Sequence, residues 1–125
     1  MAGRDARRLG TAGERRARDF LCRQGLVELQ RNYHCRAGEL DLVMLDRQIL
    51  VFVEVRQRRA GGLTTAAESV DRHKQKKLAA AALSFLSRQP QLASRTMRFD
   101  VVALNSRPSG DFTIEWIKDA FRPDA

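Results

Sequence analysis

The chain has 125 residues, of which 43% are hydrophobic and only 6% aromatic, so it suits one domain whose core rests on Leu, Val, Ile and Ala. Its 23 Lys and Arg against 15 Asp and Glu give a net charge of +8, which favours a polyanionic partner, nucleic acid before membrane. No run approaches the ~20 apolar residues of a membrane span, Met1–Arg8 lacks the apolar stretch of a secretory signal, and Cys22 and Cys35 are too few for a disulfide framework or zinc cage. A cytoplasmic protein with free, buried thiols is expected.

A helix is expected over Thr11–Gln24, with Ala17, Phe20 and Leu21 on one face and Gly25 as its stop. Thr11-Ala12-Gly13-Glu14 reads as a capping box at its start. Leu26–Tyr33 is extended, and Ala37-Gly38 is a turn. Glu39–Leu45 and Ile49–Val55 then form strands, the second apolar enough to be buried on both faces, and their short connection predicts a hairpin. Gln57–Thr65, with Gly61-Gly62, reads as a flexible loop. Asp71 caps a helix running to about Arg88, striped by Leu78, Ala79, Ala82, Leu83 and Leu86. Phe99–Leu104 and Phe112–Ile117 are the last strands, the final one at an edge. The expected fold class is α/β, a central mixed β-sheet flanked by α-helices. It forms a single domain with a core over about 10–118 and flexible ends at 1–9 and 119–125.

Charge is unevenly spread. Residues 37–55 carry −3, while residues 1–36 and 56–77 each carry +5. Carboxylates repel phosphate, so an acidic island between basic blocks makes sense if a divalent cation bridges the two. Strand alternation puts Glu39, Asp41 and Val43 on one face, and Leu50, Phe52, Glu54 and Arg56 on one face of the next strand. On neighbouring strands ~4.8 Å apart, Asp41 and Glu54 come within reach of one ion, and their oxygens suit magnesium or manganese. The bland alternative is that Asp41 accepts a salt bridge from a neighbouring arginine, and that Glu54 and Arg56 sit at a strand end and pair with other charges. Glu14 shares a helix face with Ala17 and Leu21, so it is either an inward third carboxylate or the capping residue. Arg15, Arg18, Arg58, Arg59, Arg72, Lys74, Gln75, Lys76 and Lys77 are candidate contacts to a nucleic-acid backbone, against the alternative of solvated faces. His34 and His73 have no partner at metal-ligand spacing.

Gly13-Glu14, Arg31-Asn32-Tyr33, Gly38-Glu39-Leu40-Asp41-Leu42 and Phe52-Val53-Glu54-Val55-Arg56-Gln57-Arg58 together resemble the YraN-like family of small bacterial proteins. Ala67–Val70, Lys74–Leu78 and Arg98–Ala103 extend the likeness over about residues 10–104. That family is similar to Holliday junction resolvases and to the PD-(D/E)xK nuclease-like fold. The resemblance implies a restriction-endonuclease-like sheet. It implies a metal held by Asp41, Glu54 and the Val55 carbonyl, with Glu14 completing the site. The implied reaction is metal-dependent hydrolysis of phosphodiester bonds in DNA, branched or structured DNA included. A homodimer is compatible with the likeness to resolvases, although no heptad or exposed apolar stripe argues for one.

One departure matters. Arg56 stands where the motif has lysine, and a guanidinium stays protonated, so it cannot act as a base. It can still neutralise charge on a phosphate. Lys74, on the following helix, is a second source of an amine that spacing alone does not place. The alternatives are therefore a nuclease, a catalytically inactive nucleic-acid-binding module of the same fold, and a basic domain that meets an acidic protein.

Overall fold

The computed structural model describes residues 2–59 and 65–123, with side chains from Ala12 onward. The order is α1 (Ala2–Arg23), β1 (Val27–Cys35), β2 (Gly38–Asp46), β3 (Ile49–Arg59), α2 (Arg72–Arg88), a short 3-10 turn, β4 (Met97–Ser106) and β5 (Phe112–Phe121). The five strands form one sheet in the order β1-β2-β3-β4-β5. It is antiparallel except between β3 and β4, which α2 connects as a crossover. The mixed α/β architecture expected from the sequence is therefore present, including the β2–β3 hairpin.

The layering follows from β3. Its alternating run sends Leu50 and Phe52 to one side, where they pack with Leu78, Ala82 and Phe85 of α2. Val51 and Val53 go to the other side and meet Ala17 and Leu21 of α1. Each such fully buried side chain contributes about 1.5–3 kcal/mol. Asp71 caps α2 through a bond from the Lys74 N–H, as its sequence position predicts.

Five expectations are corrected. First, α1 does not begin at Thr11 but runs from Ala2, so Glu14 lies inside a helix and the capping-box reading falls. Gly13 sits where this helix crosses the sheet, and a Cβ there would meet the Gln57 amide and a Leu104 methyl. Second, Gln57–Arg59 is not loop but the end of β3, paired with β4 as far as Arg59↔Ser106; residues 60–64 of that expected loop lie outside the described residues. Third, β5 continues to Phe121. Fourth, the thiols are free but not buried, Cys22 being exposed and Cys35 partly so. Fifth, the buried stripe of α2 is Leu78, Ala81, Ala82, Phe85 and Leu86, and Leu83 faces outward.

Among the described residues no helix is long and apolar enough to cross a membrane.

Candidate active site

The β2–β3 ladder ends at Leu42↔Val53, while β3 stays paired to β4 for six residues more. Beyond Val53 the two strands form a fork, and Asp41 stands at its mouth. In β1, Asn32 adopts a left-handed φ of 51° opposite Asp41, a conformation asparagine tolerates well. The regular alternation of β2 breaks here: Leu40 joins the α2-side core, whereas Leu42, two residues on, joins the α1-side core. Asp41 is thereby turned toward the sheet plane. Its Oδ2 accepts the Val55 N–H at 2.8 Å, in place of a ladder partner from β2. A strand residue directs its N–H and C=O to the same side, so the Val55 carbonyl also faces the fork.

From this position Asp41 meets side chains from both layers. It lies beside Glu54 on β3 and Glu14 on α1, near enough for the three carboxyls to perturb one another's titration. Glu54 is 6% exposed. Burial first, and then its contact with Asp41, push its pKa up to about 8. Burial likewise raises Asp41 and Glu14 above the ordinary carboxyl range, Glu14 being relieved in part by its contacts with Asp41 and Asn32. The opposing charge comes from α2: Lys74 Nζ lies 3.4 Å from Glu54 Oε2. That contact is an ion pair without hydrogen-bond alignment, and Oε2 is buried with no hydrogen-bond partner.

A buried carboxylate oxygen lacking a donor, beside a second carboxylate and a backbone carbonyl, has the hard-oxygen chemistry that suits magnesium or manganese. The donors form a chain, Glu14–Asp41–Glu54, rather than a cage; among the described residues no three His, Cys, Asp or Glu side chains gather closely enough to enclose a metal on their own. The residues that could hold one are Asp41, Glu54 and the Val55 carbonyl, with Glu14 reaching Asp41 from the other layer.

The remaining sequence candidates divide. Arg56 shares the Glu54 side of β3 but donates from Nη2 to the Ser69 carbonyl at 3.2 Å, and its Nε is buried without a partner. Gln75 donates to the Val70 carbonyl, so both side chains tie down the segment before α2. Arg18 pairs with Asp19 and Glu28. Together with Arg15, Arg31 and Glu14 it lines a cavity of about 20 Å³ at the α1–β1 junction. Arg72 and Lys76 are exposed at the start of α2, and Lys77 packs against the Gly38 turn. Arg58 and Arg59 line a groove on the α1 side of β3. Sequence reasoning did not anticipate Asn32 as a partner of Glu14; its tolerance of left-handed backbone was the available signal. His34, assigned no role, pairs with Glu39 at the β1–β2 turn.

The description "Uncharacterised protein family UPF0102" matches residues 13–104, a segment that opens at the Gly13 crossing and contains every carboxylate of the fork. The chain belongs to this family. It is similar to a UPF0102 protein of Pseudomonas putida, with 46% identity over 91% of this chain and 93% of the relative. It is 49% identical to one from Pseudomonas savastanoi pv. phaseolicola, over 90% of this chain and 91% of the relative. Another, from Alcanivorax borkumensis, is 42% identical over 94% of each. The YraN-like resemblance read from the motifs agrees with this membership.

Proposed function

We propose that this UPF0102 protein is a metal-dependent cytoplasmic endonuclease that hydrolyses phosphodiester bonds in DNA, at branched or structured sites. The observation that carries the reading is the Asp41–Glu54 carboxyl pair at a sheet fork, Glu54 buried and Asp41 half-buried, faced by Lys74 in a chain of charge +8. Glu54, buried and keeping its proton, and half-buried Asp41 are costly to hold together for packing alone. They make sense as a site that exchanges the proton for a cation.

Asp41, Glu54 and the Val55 carbonyl would hold magnesium or manganese, which when bound supplies a Lewis acid for the phosphate and an acidified water. The chain's own groups do the rest. Asp41 is fixed by the Val55 N–H, so one of its oxygens is oriented before any ligand arrives. Glu14 adjoins Asp41 from α1 and holds the carboxylate at the fork. Lys74, unlike Arg56, can give up a proton, and its ammonium is placed to hold a water or neutralise phosphate charge beside Glu54. Arg15, Arg72, Lys76 and Lys77 offer salt-sensitive contacts to the flanking backbone without base readout.

The test is cleavage of linear and branched DNA with magnesium or manganese, by the parent protein and by Asp41→Asn and Glu54→Gln. Metal-dependent cleavage lost in both variants is the expected result; equal cleavage by all three would remove the proposal.

A second reading is a DNA-binding module without turnover. It is favoured by Arg56 being drawn back to Ser69 and by the open chain of donors. It predicts salt-dependent binding that neither chelator nor Asp41→Asn alters.

A further inference from the structure

Alternation along β3 turns Gln57 and Arg59 to the α1 side, opposite Glu54. There a groove of about 570 Å³ lies between α1 and the ends of β3 and β4, with the β4–β5 turn and Phe112 at its far wall. Arg16, Arg58 and Arg59 line it, and no acidic residue does among those described. Phe112 is 36% exposed, and the Arg16 guanidinium lies 4.3 Å from its ring centre. The groove therefore presents cations and a flat aromatic surface together. An acidic peptide would satisfy the cations but leave the ring unused. A nucleotide carries both the negative charge and the π-face.

Position adds to composition. Glu54 and Gln57 are three residues apart on one strand, about 10 Å at the rise of a β-strand. That is a span of about three stacked nucleotides. The path between them runs round the edge of β3 that β2 no longer pairs beyond Val53.

We propose that this groove takes an unpaired nucleotide of the bound strand, its base stacked on the Phe112–Arg16 pair and its phosphate on Arg59. The preferred substrate is then DNA with a single-stranded segment beside the cleaved bond. The inference rests on the nucleic-acid reading above, and names the substrate class of that site.

The experiment is fluorescence anisotropy of the full chain, with chelator present, on labelled single-stranded, abasic single-stranded and blunt duplex DNA of equal length. The parent should bind the ordinary single strand about tenfold more tightly than the abasic strand, the size of one base–aromatic stack. Phe112→Ala should abolish that difference and leave duplex affinity within about twofold, while Phe112→Tyr should preserve it. The abasic comparison needs no substitution, so it decides the matter even if Phe112→Ala folds poorly. Duplex binding with equal affinity for ordinary and abasic strands overturns the groove proposal and leaves the nuclease reading standing. Absence of binding to all three, both with chelator and with calcium in its place, overturns both.

Discussion

Lys74 Nζ stands 3.4 Å from Glu54 Oε2, although the two residues come from different elements and are separated by the whole β3–α2 connection. Arg56, only two residues from Glu54, is turned instead to the Ser69 carbonyl. The amine that the motif lacks on β3 is thus delivered by α2. Lys74→Met should lower single-turnover cleavage by about 10²–10⁴-fold, the usual scale of a positioned proton-transfer group. DNA affinity should fall by only a few-fold, since one backbone contact at most is lost. Arg56→Ala should instead loosen the segment before α2, read as a lower melting temperature. The opposite pattern, cleavage surviving Lys74→Met but not Arg56→Ala, would return the role to β3.

The proton that Glu54 keeps beside Asp41 sets a pH dependence of stability. The pKa of Glu54 rises from 4.5 to about 8 on folding, through burial and then Asp41. Between these values the folded protein holds a proton that the unfolded chain has released. The resulting stabilisation is complete below the unfolded value and is lost as pH rises through about 8. Asp41 is shifted in the same direction and adds to the slope. The effect is on the order of a few kcal/mol. Urea denaturation of the parent and of Glu54→Gln, compared from about pH 5 to about pH 9, should show stability falling with pH in the parent and a flatter profile in the variant. Parallel profiles would mean that the pair is ionised at neutral pH.

Much of this was legible in the sequence, for reasons that differ by element. The apolar run of β3 and the Asp71 cap are local signals, and each appears where expected. The alternation of β2 instead slips at Asp41, so that Val43 shares the side of Leu40 and not the face expected for Glu39, Asp41 and Val43. The start of α1 was misread because Thr11–Glu14 fits a cap, while the preceding residues are equally compatible with helix; local signals could not choose. Gln57–Arg59 looked like loop because its pairing partners, Leu104–Ser106, lie almost fifty residues away. The two carboxylates were found, but the fork was not. It depends on one left-handed residue, Asn32, in a strand of otherwise ordinary composition. Lys74 was weighed but could not be placed, since its neighbour is chosen by how the crossover helix lies on the sheet.

Gly13 offers a test of how closely α1 lies on that sheet. A Cβ there would press on the Gln57 amide, which can swing aside, and on the Leu104 methyl at 3.0 Å, which is held in the core. A β-branched side chain cannot be accommodated by moving Gln57 alone. Gly13→Val should therefore cost about 1–3 kcal/mol through overpacking, despite glycine's poor helix propensity. Denaturant midpoints report the change. A neutral or stabilising effect would mean that α1 rides higher above Gln57 and Leu104.

Among the described residues, the most heavily bonded carboxylate has no part in the fork. Asp100 on β4 is fully buried. It accepts from Arg98 Nε at 2.9 Å, Trp116 Nε1 at 2.9 Å and the Asp119 N–H at 2.9 Å, and Arg98 also reaches Asp46 at 2.8 Å. The β4–β5 register shifts between Phe99 and Val101, and Asp119 has a φ of 52°, so Asp100 pins the bulge that lets β5 turn along the sheet edge. Every donor is supplied internally, in contrast to Glu54, and this contrast separates a carboxylate used for architecture from one left open to a ligand. Asp100→Ala should cost about 3–5 kcal/mol, because it removes the buried acceptor of the Trp116 and Asp119 N–H groups and leaves Arg98 with Asp46 alone. Nucleic-acid affinity measured well below the melting temperature should stay within a few-fold of the parent. A loss of binding out of proportion to the loss of stability would show that the β4–β5 bulge, and with it the Phe112 end of β5, shapes the ligand surface directly.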